Sequence, residues 1–153
     1  MSEFSRLDGP KVITASWFTP LPPDIARVCI SRGPPRGQRG YRKLPFLAPG
    51  RWFRSVGEVE YIRRYSEQLS HLSPSYVYRR LIGCAWGAST VAMHCFERPG
   101  TSDGWCHRAL TARWLSTSLG IEVPEFGYEH LAQAEHPMLP PSLRRSLADE
   151  HTT

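Results

Sequence analysis

The feature that most constrains this chain is an apolar strand running directly into a cluster of polar groups. Ser89–Met93 leads into His94-Cys95-Phe96-Glu97. A glycine-bearing loop follows, and a helix is expected to open on Trp105-Cys106-His107-Arg108. Two thiols, a carboxylate, an imidazole and a guanidinium thus fall within the fourteen residues Cys95 to Arg108. Open α/β sheets hold their ligands beyond the carboxyl ends of the strands, at crossings of this kind. The passage therefore predicts an architecture and, within it, the place of a site.

The rest of the chain agrees with that architecture. Lys11–Phe18 reads as a first strand, stopped by Thr19-Pro20-Leu21-Pro22-Pro23, and Ile25–Ile30 as a second. Gly33-Pro34-Pro35-Arg36-Gly37-Gln38-Arg39-Gly40 excludes regular structure, so a long loop is expected from residue 31 to 54. Ser55-Val56-Gly57-Glu58 has the form of a capping box, with Val56, Val59, Ile62 and Leu69 following at helical spacing. Ser73-Pro74 opens a second helix with Val77, Leu81 and Cys84 inward. Ser89–Phe96 is the third strand. Asp103 or Ser102 can cap a third helix, which buries Leu110, Ala112, Leu115 and Leu119 and stops at Gly120. Ile121–Phe126 reads as a short edge strand, since Pro124 cannot donate to a ladder. Past Tyr128 there is one weak helical turn and a Pro140-Pro141 break.

Strands alternating with helices predict a small three-layer α/β protein in a single domain, its open, Rossmann-like sheet mostly parallel. Residues 1–10 form an N-terminal tail, 11–127 the α/β domain, and 128–153 a C-terminal extension with a polar tail. One rim of the sheet is expected to carry Ser16–Thr19, Cys29–Arg32, Cys95–Arg98 and Phe126-Gly127.

At 153 residues the chain is long enough for a real core. No apolar run reaches the roughly 20 residues of a membrane span, and the first residues lack a secretory pattern. Four scattered cysteines, Cys29, Cys84, Cys95 and Cys106, form no disulfide framework. A cytoplasmic protein with reduced thiols and no membrane partner is expected. There are no repeats or heptads, and the oligomeric state is left open.

Charge points to an anionic partner. The net charge is +5, and seventeen of the nineteen basic residues are arginine. Arg32, Arg36, Arg39, Arg42, Lys43, Arg51 and Arg54 follow one another without an acid until Glu58. The arginine fork suits phosphate and stacks on rings. Tyr41, Trp52 and Phe53 in the same stretch can stack a base. A general bias toward arginine and a solvated loop would leave the same trace, apart from the missing acids.

Within the polar cluster, Cys106 is expected in the first turn of its helix, where unpaired N–H groups lower a thiol pKa or bind phosphate. Glu97, just past the strand end, can serve as general acid or base, or hold a sugar hydroxyl. It can equally pair with Arg98 or Arg108. His107 can face the site or lie on the outer side of the helix. Arg108 can touch phosphate or anchor Glu97, and Cys95 reads as structural. Zinc on Cys95, Cys106 and His107 is disfavoured, because adjacent helical residues point about 100° apart and no paired-cysteine knuckle is present. A Cys95–Cys106 redox pair requires Cα atoms within about 7 Å, which the sequence leaves open, and the absence of a C-x-x-C motif counts against it.

The pattern Val12-Ile13-Thr14-Ala15-Ser16-Trp17-Phe18, then Ile30-Ser31-Arg32-Gly33-Pro34-Pro35-Arg36-Gly37, then Cys95-Phe96-Glu97 and Cys106-His107-Arg108, resembles the domain of unknown function 488 family over roughly Lys11 to Val123. The resemblance implies a small bacterial or phage-type cytosolic α/β protein. It marks Cys95, Glu97, Cys106, His107 and Arg108 as site residues without implying a reaction. Pro99–Gly104 is longer than the turn that joins these motifs in the family.

Together these readings predict a domain that binds a nucleotide, nucleic acid or other phosphate-bearing ligand. Catalysis, if any, would be hydrolysis or group transfer by Glu97, Cys106 and His107. Arg32, Arg36, Arg39, Arg42, Tyr41, Trp52, Arg108 and Ser16 would hold the ligand. No metal or other cofactor is required. The alternatives are a non-catalytic nucleic-acid-binding or adaptor module and a thiol redox protein.

Overall fold

The computed structural model describes residues 9–100 and 104–144. Ser102 and Asp103, expected to cap the third helix, lie outside them, as do most of the N-terminal tail and the end of the C-terminal one.

Four parallel strands form one sheet: β1 (Lys11–Ser16), β2 (Ile25–Cys29), β3 (Tyr41–Lys43) and β4 (Thr90–Cys95), in the order β1-β4-β2-β3. The last strand in sequence lies second in space. β4 pairs with β1 from Lys11–Thr90 to Ser16–Cys95, and with β2 from Ile25–Thr90 to Cys29–His94. Being central, it is buried along five of its six residues, which is why it reads as a nearly continuous apolar run. Because all strands run one way, Ser16, Cys29, Lys43 and Cys95 end on one rim.

Three helices follow: α1 (Glu58–Ser70), α2 (Pro74–Gly83) and α3 (His107–Leu119). They share one core with Val12, Val28, Val91 and Met93, the residues that alternate onto one face of the sheet. The other face, with Ile13, Ala15 and Ala92, packs on Leu21, Ile25 and Phe126. The expected α/β class and parallel sheet are present. Among the described residues the helices pack on one face, and the second face is covered by the β1–β2 link and Phe126. The proline-rich link between β1 and β2 is too short for a helix and crosses there.

Several local expectations need correction. The stretch 31–54 is not all loop: β3 pairs with β2 through Arg27–Tyr41 to Cys29–Lys43, and 3₁₀ turns occupy Pro45–Leu47 and Arg51–Arg54. This edge strand carries exposed Arg42 and Lys43, so no apolar alternation announced it. Ser55 does not cap α1. Its hydroxyl donates to the Trp52 carbonyl, closing the 3₁₀ turn, and Gly57 stands at the N-cap without a side-chain bond. The inner face of α1 is Tyr61, Tyr65 and Leu69, whereas Val59 is 76 % exposed. Ile121–Phe126 makes a single bridge, Thr14 to Glu125, outside β1.

Other local signals agree with the structure. Ser73 accepts from the Tyr76 N–H at 3.3 Å with Pro74 at the first helical position. Leu110, Ala112, Leu115 and Leu119 are buried, and Gly120 ends α3 with φ 69°, a left-handed conformation that glycine adopts without steric cost. Among the described residues no helix is long and apolar enough to cross a membrane.

Candidate functional site

At the strand-end rim an open cavity of about 880 Å³ is lined by segments from five parts of the chain. Ser31–Pro34 follows β2, Cys95–Glu97 follows β4, and Gly104–His107 enters α3. Pro49, Phe53 and Arg54 come from the arginine-rich stretch, and Tyr61 from α1. The volume falls within the usual range of small-molecule sites.

Its floor is the thiol and imidazole cluster. Cys106 is not in the helix. It occupies the N-cap with extended φ −150° and ψ 148°, and its N–H donates to the Met138 carbonyl at 2.9 Å. That conformation turns its side chain toward β4, and the Sγ atoms of Cys95 and Cys106 are bonded as a disulfide, their Cα atoms 7.2 Å apart. The expectation of reduced thiols is thereby corrected for this pair. The anchoring of Cys106 by the C-terminal extension overrides the long loop. Cys29 and Cys84 are free.

His107, the first residue of α3, is buried beneath them. Its Nε2 lies 2.7 Å from the Ile30 carbonyl and its Nδ1 lies 3.6 Å from each of the two sulfurs. A carbonyl can only accept, so Nε2 carries the proton and Nδ1 presents its lone pair to the sulfurs. Burial, aided by the positive charge of Arg108, lowers the His107 pKa to about 4, against the bond to Ile30. The ring is neutral at pH 7. Tyr65 holds it from the side, edge-on at 5.3 Å.

Glu97 stands exposed at the cavity wall with Oε2 3.2 Å from Cys95 Sγ. Neither Arg98 nor Arg108 pairs with it among the recorded contacts. The same cavity is lined by two cations around one ring: the guanidiniums of Arg32 and Arg54 lie 5.7 and 5.1 Å from the Phe53 centroid. Arg32 is held by a bond from Nη1 to the Pro49 carbonyl at 2.9 Å. Trp105 and Tyr61 meet edge to face at 4.7 Å and complete an aromatic wall.

Of the expected site residues, Glu97, Cys106, His107 and Arg32 converge here, with Cys95. The others do not line this cavity. Arg108 is fully buried and forks onto Glu125, Nε to Oε1 at 2.9 Å and Nη2 to Oε2 at 2.8 Å, so it contacts neither a ligand nor Glu97. Arg36 and Arg39 are exposed on the loop before β3. The Arg42 guanidinium stacks 3.6 Å over Trp86. Tyr41 packs edge-on against Trp17, and Trp52 against Tyr61. Ser16 has a positioning role, its hydroxyl donating to the Phe96 carbonyl at 3.0 Å and so fixing the chain just before Glu97.

Phe53, one of the three aromatics expected to stack a base, lines the cavity, and Arg54, Tyr61 and Trp105 line it without having been singled out by the sequence. Two had a visible signal: Arg54 closes the acid-free arginine run, and Trp105 adjoins Cys106. Tyr61 had none, because a tyrosine at helical spacing reads as core. No family model matches this chain, and no curated protein or solved structure is found to be similar to it; the resemblance to the domain of unknown function 488 family rests on the quoted motifs alone.

Proposed function

We propose that this cavity binds a nucleotide, or a related ligand combining a phosphate with a flat ring, and that Glu97 acts on it as general acid or base in hydrolysis or group transfer. The observation that carries this reading is the composition of the walls. Arg32 and Arg54 bring guanidiniums to the lining, Trp105 and Tyr61 bring an aromatic wall, and the exposed carboxylate of Glu97 lines the same cavity. Arginine forks match phosphate oxygens, and aromatic faces accept bases regardless of their identity. The resemblance noted in the sequence adds weight to Cys95, Glu97, Cys106 and His107 as a unit.

The test is a thermal-shift and calorimetric screen of nucleoside mono- and diphosphates, followed by assay of the best binder for turnover. A native-state ligand raises the melting temperature through RT ln(1 + [L]/Kd). Glu97→Gln should retain binding and lose turnover. Full activity in that variant would remove Glu97 from the chemistry.

The disulfide favours a second reading, thiol–disulfide exchange with Cys95 and Cys106 as the redox pair. It predicts that the reduced protein carries a cavity thiol alkylated rapidly by iodoacetamide near neutral pH. Slow alkylation, equal to that of Cys29, would end it.

A further inference from the structure

The cluster under the cavity has the donor set and geometry of a metal site. Cys95 Sγ, Cys106 Sγ and His107 Nδ1 all lie within 4.8 Å of one another, and all three residues are buried. A tetrahedral zinc ion with bonds of about 2.3 Å to sulfur and about 2.0 Å to nitrogen separates nitrogen from sulfur by about 3.5 Å and sulfur from sulfur by about 3.8 Å, so the two sulfurs, bonded to each other here, part on reduction. Nδ1 lies 3.6 Å from both sulfurs. The imidazole is in the tautomer a metal needs: neutral, with Nε2–H engaged by the Ile30 carbonyl and the Nδ1 lone pair aimed at the thiols. A backbone carbonyl fixing the second ring nitrogen is the usual outer shell of a metal-bound histidine. The objection from divergent helical side chains does not apply, because Cys106 lies outside the helix in extended conformation. The 7.2 Å between the Cys95 and Cys106 Cα atoms exceeds the usual span of a disulfide pair. Two thiolates sharing one ion are not bound by that limit.

We infer that the reduced protein binds one zinc ion through Cys95, Cys106 and His107, with the fourth position open to the cavity beside Glu97. All three ligands line the cavity, and an open fourth position distinguishes reactive from purely structural zinc. Binding replaces two thiol protons by the dication and releases both protons. The disulfide form cannot bind until a small thiol reduces it, two equivalents of that thiol being oxidised to their own disulfide as the two cysteine thiols form. When bound, zinc would supply a Lewis acid and a water of lowered pKa, with Glu97 placed to accept its proton. That consequence rests on the nucleotide-site reading. The metal site itself does not.

The experiment purifies the chain under reducing conditions, adds zinc chloride, removes excess and measures metal by mass spectrometry. One zinc per chain is expected, lost in Cys106→Ser and in His107→Ala and kept in Cys84→Ser and Glu97→Gln. Should the ligand variants fail to fold, cobalt substitution of the wild type gives an independent reading. Sulfur-to-cobalt charge-transfer bands with intense tetrahedral bands in the visible support the site. Absence of stoichiometric zinc and of those bands in fully reduced protein overturns it, as does loss of zinc in Cys84→Ser. Nucleotide binding by a reduced protein that takes up no zinc would overturn the metal inference alone, and zinc binding without nucleotide binding would overturn only the proposed ligand.

Discussion

His107 and Arg108 are neighbours at the start of α3, yet they serve opposite kinds of polar structure. Beneath the sulfurs, His107 lines a cavity whose walls also carry two cations and an exposed carboxylate. Arg108 points into a closed network. Its guanidinium forks onto Glu125, which accepts from the Thr14 hydroxyl at 2.7 Å. Thr14 in turn lies 2.7 Å from His136 Nε2, and the Met138 N–H donates to His136 Nδ1 at 3.1 Å. All four side chains are essentially sealed from solvent. Among the described residues one buried polar atom of this network lacks a partner, Arg108 Nη1. The network ties β1, the Glu125 bridge, α3 and the C-terminal extension into one unit. The difference lies in room: closed charges with matched partners hold a fold together, whereas charges around open space are available to something else.

The largest test of that difference removes one member of the closed pair. Glu125→Gln should cost about 3–5 kcal/mol of folding stability, because it leaves the Arg108 charge buried without its counter-ion. Chemical denaturation measures it as a fall in midpoint. Replacing both partners with apolar residues of similar volume, Arg108→Met with Glu125→Leu, should recover much of the loss. A small cost for Glu125→Gln would show that the closed network is not the structural tie described.

A smaller effect follows from pH. His136 faces Glu125, Arg108 and Arg144, and burial lowers its pKa from 6.5 to about 4 despite the nearby carboxylate. Its folded form therefore stays neutral while the unfolded chain takes up a proton. Stability is fully present above pH 6.5 and falls as pH drops toward 4, by up to about 1.4 kcal/mol per pH unit for this group. His136→Gln should flatten the profile in that window relative to wild type. Equal slopes for both proteins would show that His136 takes up its proton in the fold.

How far the sequence revealed these two regions follows from what each depends on. Strands β1, β2 and β4, the third helix and its glycine stop are legible because periodicity and turn residues are local, whereas β3 and the single bridge at Glu125 are not. The cavity's position was legible from the rim rule, and Glu97, His107 and Arg32 with it. Arg108 was misassigned because its partner Glu125 is seventeen residues away and no spacing links them. The Cys95–Cys106 bond was missed for the same reason: the Met138 carbonyl that turns Cys106 toward β4 comes from the C-terminal extension. Tyr61 and Tyr65 were passed over because the apolar stripe was counted without tyrosines. Long-range tertiary contacts decide the Arg108 and Cys106 cases.

The smallest expected effect on stability sharpens the comparison most. Arg54 is exposed and touches only the Phe53 ring among its recorded contacts. An exposed cation–π contact is worth about 0.5–1 kcal/mol, so Arg54→Ala should shift folding stability by no more than that. Under the proposed function the same substitution removes one of the two cavity cations that would face the phosphate. Loss of a charge-assisted bond of about 1.5–3 kcal/mol should weaken binding of a phosphate-bearing ligand roughly tenfold or more. Calorimetric titration beside denaturation of the same variant reads both. A variant that loses stability and keeps affinity would place Arg54 with Arg108, among the residues that build the fold, and would leave the cavity without its second cation.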